Sequence, residues 1–185
     1  ECDFGSAILE NARFRRAHVS RTRFAALAED QVLPPLPAQT GLAMTRLSGA
    51  DFTRATISAS DFSGAALTAA SFDGALLDGV TFAGADLSAA TFDGTVILDA
   101  DFTGVALKRT DFAGAVVFGD DFLTRLAKAA APETFRPELF RLDPLDPADL
   151  SAIMVVQDAY TPEDLAARSN GAAPFRITRI AEFGP

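Results

Sequence analysis

From residue 42 to residue 122 a large apolar side chain returns at every fifth position. The series is Leu42, Leu47, Phe52, Ile57, Phe62, Leu67, Phe72, Leu77, Phe82, Leu87, Phe92, Ile97, Phe102, Leu107, Phe112, Val117 and Phe122. Two places before each stands a small or β-branched residue, such as Ala50, Ala55, Ser60, Ala65 and Val80, until Asp120 takes that place and marks the end of the repeat. A shorter series of the same period runs Phe4, Leu9, Phe14, Val19 and Phe24. Period five suits neither regular element. In an α-helix, five steps of ~100° turn each large residue ~140° from the last, so no face collects them. In an unbroken strand an odd period throws successive large residues to opposite faces.

The pattern works if the chain turns a corner within every five residues. Gly49, Gly64, Gly74, Gly79, Gly84, Gly94, Gly104, Gly114 and Gly119 each lie two places after a large residue. That is the third position of a four-residue turn, where type II geometry demands positive φ. The spacing therefore predicts an all-β solenoid, with one large and one small residue pointing inward from each short side.

Stretches such as Ala50-Asp51-Phe52-Thr53-Arg54, Ala85-Asp86-Leu87-Ser88-Ala89 and Ala100-Asp101-Phe102-Thr103-Gly104 resemble the pentapeptide-repeat family. Its motif is a small residue, Asp or Asn, Leu or Phe, then two variable residues. The resemblance implies a right-handed quadrilateral β-helix with four pentapeptides per coil. Every twentieth residue then stacks, at the ordinary strand spacing of ~4.8 Å. Phe62, Phe82, Phe102 and Phe122 form one inner ladder, and Phe52, Phe72, Phe92 and Phe112 the opposite one. Leu47, Leu67, Leu87, Leu107 and Ile57, Leu77, Ile97, Val117 form the two aliphatic ladders between them.

The organisation reads as first repeats over 1–24, a Pro-rich insertion over 25–41, the main β-helix over 42–122 and a helical C-terminal cap over 123–185. The insertion carries Pro34, Pro35 and Pro37, which oppose helix and central strand alike. It reads as a neutral surface loop; the alternative is an arm like those that project from some family members that guard topoisomerases. In the tail, Asp120 or Asp121 can cap a helix through Leu123, Leu126 and Ala130, stopped by Pro132. A second helix is expected from Asp146-Pro147 towards Ala159. A third is capped by Thr161, with Asp164 three residues on and Asn170-Gly171 as its stop, and weak alternation from Phe175 to Phe183 suggests a strand. This tail is expected to close the last coil, whose edge would otherwise stay open.

One side departs from the polar pattern. Beside the Ile57, Leu77, Ile97, Val117 ladder the outward places hold Leu76, Val96, Leu98, Val116 and Phe118. So apolar a stripe calls for a cover, either a second copy of the chain in a homodimer or, preferably, the tail through Phe135, Leu139, Phe140 and Leu142.

Composition removes several function classes. The 185 residues carry 16 basic and 25 acidic side chains, a net charge of −9, which argues against nucleic acid as a direct ligand. No apolar run approaches the ~18 residues of a membrane span. One cysteine, Cys2, forms no disulfide framework, and one histidine, His18, makes no conventional zinc site. No hydrolase triad, phosphate-cradling loop or redox pair appears. Hence no enzyme, metal or cofactor is expected. His18 falls on an outward place among Arg13, Arg15, Arg16, Arg21 and Arg23, a solvated basic face, while Cys2 takes a small inward place before Phe4.

Charge is the informative remainder. Residues 41–122 hold eleven Asp, no Glu and four Arg or Lys, leaving −7. Outward places beside the two Phe ladders carry Asp51, Asp73, Asp93 and Asp111 on one face, and Asp61, Asp101 and Asp121 on the opposite one. These acids fit solubility and turn bonding, and they also offer a regular negative surface to a protein partner. The expected function is a non-enzymatic interaction or scaffold module. One alternative is a DNA mimic that binds gyrase or topoisomerase IV, as the resemblance to the family's quinolone-resistance branch implies. Another is a rigid spacer of a larger secreted or effector protein. A cytoplasmic location is favoured.

Overall fold

The computed structural model describes residues 4, 7, 9–22, 24, 45–146, 149, 161, 164 and 167–182. Within these the chain winds into square coils, each side five residues long, and the fold is a β-helix solenoid. One side of every coil is a short strand: β1 (His18–Ser20), β2 (Thr56–Ser58), β3 (Leu76–Asp78), β4 (Val96–Leu98) and β5 (Val116–Phe118). They stack in parallel with Val19 on Ile57 and Ile57 on Leu77. The other three sides meet through single bridges in equivalent register, such as Asp51 to Ser71 to Thr91 to Asp111.

The core is the set of inward ladders. Phe52, Phe62, Phe72, Phe82, Phe92 and Phe112 are fully buried, as are Leu47, Ile57, Leu67, Leu77 and Leu87. Rings within a ladder lie nearly parallel, with Phe52 and Phe72 centroids 5.0 Å apart, and Phe72 and Phe92 5.1 Å apart. Phe122, expected as the last rung of the Phe62 ladder, departs from it: it opens a helix and meets Phe102 edge-on at 6.5 Å and 89°. Rings facing across the core meet edge to face, as Phe52 and Phe62 do at 5.7 Å and 88°. Both arrangements are the favourable ones for aromatic quadrupoles.

The corners explain why so many residue types are tolerated there. Wherever the large residue opens a turn, the N–H three residues on returns to its carbonyl: Ala50 to Leu47, Ala55 to Phe52, Ala65 to Phe62. The third turn residue has positive φ even where it is not glycine, as at Arg16, Arg54, Ala59, Ala69, Ala89, Asp99 and Arg109. Stacking thus forces left-handed geometry on residues that avoid it by ~1–2 kcal/mol each. Cooperative coil contacts outweigh that cost.

The junction between the two series differs from a simple count. Counting back twenty residues from Phe62 gives Leu42, but Phe24 occupies that rung. Its ring stacks on Phe62 at 4.7 Å, and its N–H reaches the Asp61 carbonyl. Leu9 and Phe14 likewise precede Leu47 and Phe52: the Leu9 N–H reaches the Arg46 carbonyl, and the Phe14 ring stacks on Phe52 at 4.8 Å. The insertion itself, 25–41, lies outside the described residues, as do Cys2 and Arg23.

The tail closes the last coil. Helix α1 (Phe122–Ala129) buries Phe122 and Leu126. No side chain caps its start, because the Asp121 carboxylate bonds Arg125 instead. A 3₁₀ turn, Pro137–Leu139, leads into β6 (Phe140–Pro144). Strand β7 (Pro174–Arg179) then pairs antiparallel with both β5 and β6, so the parallel stack ends in an antiparallel pair. The strand expected over 175–183 is therefore β7, shifted towards the N-terminus, and β6 was not foreseen. Of the third expected helix, Thr161 and Asp164 cap one another reciprocally, residues 164, 167 and 168 are helical, and Asn170 and Gly171 end it at positive φ. The second expected helix lies almost wholly outside the described residues.

Candidate functional site

Each face presents two outward places per side, one before and one after the inward residue. On the Phe72 face the places before run Arg13, Asp51, Ser71, Thr91 and Asp111, in bridged register. Those after run Arg15, Thr53, Asp73, Asp93 and Ala113. On the opposite Phe62 face, Asp61, Thr81 and Asp101 stack in register.

Most of the acids are first of all corner clips. One carboxylate oxygen of Asp51, Asp61, Asp86, Asp101 and Asp111 accepts the N–H of the residue two places on, at 2.8–3.0 Å. Where Asp is absent, Ser71 and Thr81 accept the same N–H through a hydroxyl, at 3.4 Å. This is the Asx turn and its weaker hydroxyl counterpart. It explains the Asp of the motif without any partner, and it leaves the second oxygen for other groups, such as the Thr68 hydroxyl at Asp86 and the Thr81 hydroxyl at Asp101.

The two acidic rows differ in what neutralises them. On the Phe72 face Asp51 pairs with Arg15 at 3.3 Å, and Asp111 pairs with Arg179 of β7 at 3.1 Å. Asp73 accepts the Asp93 N–H at 3.0 Å. Burial would raise the Asp51 carboxyl, but hydrogen bonds from the Thr53 hydroxyl and N–H, with Arg15 and Arg13 nearby, hold it below the ordinary value. On the Phe62 face Asp121 is taken by Arg125 at 2.9 Å. Asp61 and Asp101, with Asp99 at the adjoining corner, have no ion pair among the described residues. The Thr103 hydroxyl and N–H hold Asp101 below the ordinary carboxylate value. The seven acids are thus not one surface: three are ion-paired, and the unpaired ones divide between opposite faces.

The apolar stripe is covered within the chain. Leu76, Val96, Leu98 and Val116 are buried and Phe118 is half-buried, with Leu145 packed against them. Arg168 forms an ion pair with Asp78 on the same side of the rod. The side chains expected to cover it lie elsewhere. Phe135, Leu139, Phe140 and Leu142 pack on the main core at the end of the last coil, where Phe135 meets Phe112 edge-on at 6.0 Å. The reason is topological: the open coil end offers them a larger apolar surface than the side stripe does.

No group of three or more Asp, Glu, His or Cys that could hold a metal ion lies among the described residues, and none of their helices is long and apolar enough to cross a membrane. His18 sits in β1, though its side chain is outside the described part.

Residues 42–68 and 60–97 match the family model for pentapeptide repeats, eight copies in all. This segment is made of pentapeptide repeats. No curated protein matches the chain. Among solved structures, HetL, a pentapeptide repeat protein involved in heterocyst differentiation regulation from the cyanobacterium Nostoc sp., is 24% identical, with a TM-score of 0.32. The match covers 61% of this chain and 50% of HetL, so the chain spans about half the length of that protein. Rfr23, a pentapeptide repeat protein from a Cyanothece cyanobacterium, is 19% identical over 58% of this chain and 82% of its own, with a TM-score of 0.24. QnrB1, a plasmid-mediated fluoroquinolone resistance protein, is 18% identical over 62% and 57% of the two chains, with a TM-score of 0.31. Superpositions so loose say nothing of function, which in repeat folds resides in the outward residues.

What the sequence reading missed is the corner column. Arg16 and Arg54 stand exposed where later coils have Gly74, Gly94 and Gly114. The signal was available, since the corner is a fixed place in every repeat.

Proposed function

We propose that this pentapeptide-repeat rod is a non-enzymatic module that binds a protein partner through its acidic Phe62 face. The observation that carries the reading is the pair Asp61 and Asp101, each clipped to the backbone, with Asp99 exposed at the adjoining corner, all three without an ion pair among the described residues. Asp61 and Asp101 have one oxygen fixed by the backbone, so their charge is presented at little further cost in side-chain entropy. Such a surface suits a basic patch on a partner and gives a salt-dependent rate of association.

A second reading is favoured by the same row. Carboxylates repeating along a straight rod imitate duplex phosphates, and the partner would then be a DNA-binding enzyme such as gyrase or topoisomerase IV.

Asp→Asn changes at 61, 99 and 101 test both readings, because Asn keeps the acceptor for the corner N–H and removes only the charge. Loss of partner capture by this triple variant, with capture kept by Asp73→Asn/Asp93→Asn, supports the Phe62 face. Capture unaffected by the triple change sinks it. For the second reading, purified gyrase whose supercoiling is unchanged by a large excess of the protein removes that partner.

A further inference from the structure

The Phe72 face is divided along the rod in charge. Its corner column runs Arg16, Arg54, Gly74, Gly94 and Gly114, all at positive φ. Arg16, Arg54 and Gly74 donate in turn to the carbonyls of Thr53, Asp73 and Asp93, so the corners stack. In the first two coils the face carries Arg13, Arg15, Arg16 and Arg54 against a single acid, Asp51, which Arg15 already engages. In the next two it carries Asp73 and Asp93 and no base. Among the described residues Arg13, Arg16, Arg54, Asp73 and Asp93 have no ion pair. The two arginine corners are exposed, and the Arg54 side chain leans along the rod over Gly74, where an added Cβ would meet its Cγ at 3.3 Å.

We infer that this face pairs with the same face of a second copy of the chain. The two rods run antiparallel about a two-fold axis lying along the strands, between the coils of Phe52 and Phe72. That operation reverses the order of the coils and keeps each corner edge facing its own kind. The coil of Arg54 then faces the second copy's coil of Asp73, and the coil of Arg16 faces the second copy's coil of Asp93. Every contact occurs twice, as an isologous interface requires. A parallel arrangement sets each coil on the same coil, so the arginine-bearing coils meet each other and the coils of Asp73 and Asp93 do the same. An anionic ligand at the arginines leaves Asp73 and Asp93 unused, whereas the second copy uses both halves.

The interface is small. Four coils overlap, and at ~4.8 Å per coil and at most ~16 Å per five-residue side they give a patch of about 300 Å², well short of the ~800 Å² per partner of a standard interface. Association is therefore weak and governed by salt, since exposed ion pairs are largely screened. The inference concerns the opposite face from the one proposed for a partner, and it is tested without any partner, so either can fail alone.

Sedimentation equilibrium of the chain alone, at ~50 mM and ~500 mM NaCl, is the test. We expect dimers at low salt and at least tenfold weaker association at high salt. Arg16→Gly with Arg54→Gly should give a monomer with an unchanged circular-dichroism spectrum, because glycine adopts these positive-φ corners without strain. Arg16→Glu/Arg54→Glu mixed with Asp73→Lys/Asp93→Lys should restore a dimer that neither forms alone. A wild-type chain that stays monomeric at low salt overturns the inference. So does a double-glycine variant that dimerises as tightly as wild type, or a charge-swapped pair that does not associate.

Discussion

Replacing Phe92 with Ala probes what holds the rod together. The ring is fully buried, stacked on Phe72 at 5.1 Å and on Phe112 at 4.7 Å. Truncation of a buried Phe costs ~3–5 kcal/mol through lost burial and the cavity left behind. Two lost ring contacts, each ~0.5–1.5 kcal/mol, place this site in the upper part of that range. Collapse cannot refill the space, because coil spacing is held by backbone bonds such as Phe92 N–H to the Asp111 carbonyl at 2.9 Å. A melting temperature lower by ~10–20 °C is expected for a chain of this length. Phe14 is the internal control: it is half-buried and has one parallel neighbour, Phe52 at 4.8 Å, so Phe14→Ala should cost ~1–2 kcal/mol. Urea unfolding followed by far-ultraviolet circular dichroism suits the measurement, since the chain has no Trp. A loss below ~1 kcal/mol for Phe92→Ala, or one equal to that of Phe14→Ala, would refute the ladder as the main source of stability.

Other tests follow from corners, charge and cap. Gly114→Ala should destabilise more than Gly79→Ala in the same assay: a Cβ at Gly114 displaces the Asp93 carboxylate and falls 3.1 Å from the Gly94 backbone nitrogen, while one at Gly79 meets nothing within 4 Å, and both have positive φ. Equal losses would mean that conformation alone sets the corner residue. Asp51 and Asp101 are both held below their ordinary value of 3.8 in the folded chain. Their stabilisation is thus present above that value and lost as pH falls through it, so thermal stability should drop below about pH 4, and less so in Asp101→Asn. Truncation after Pro132 removes β6, β7 and Leu145, baring Val116 and its apolar neighbours. Aggregation or binding of a hydrophobic dye is expected, and a soluble, equally stable monomer would show that the cap is dispensable.

The five-residue period, by itself, determined the solenoid. A large residue every fifth place leaves the chain no other way to bury its apolar side chains than to turn a corner each time. Phe52, Phe72 and Phe92 were legible as one ladder for that reason, and the glycine corners followed from turn chemistry alone. Tertiary structure decided what no local pattern encodes. Phe24 rather than Leu42 completes the first ladder because a ring stacks better there than an aliphatic chain reached by simple counting. Ala89, Arg54 and Asp99 adopt positive φ because stacked coils impose it against their own preference. Phe135 and Phe140 cover the coil end and not the side stripe, since β7 pairing with β5 brings that segment over the open core. The acids show the division most plainly. Their spacing placed them on two faces, yet Arg179, 57 residues beyond Phe122, and Arg15, before the insertion, determine which carboxylates stay unpaired, because ion pairing depends on contacts that only the folded chain creates.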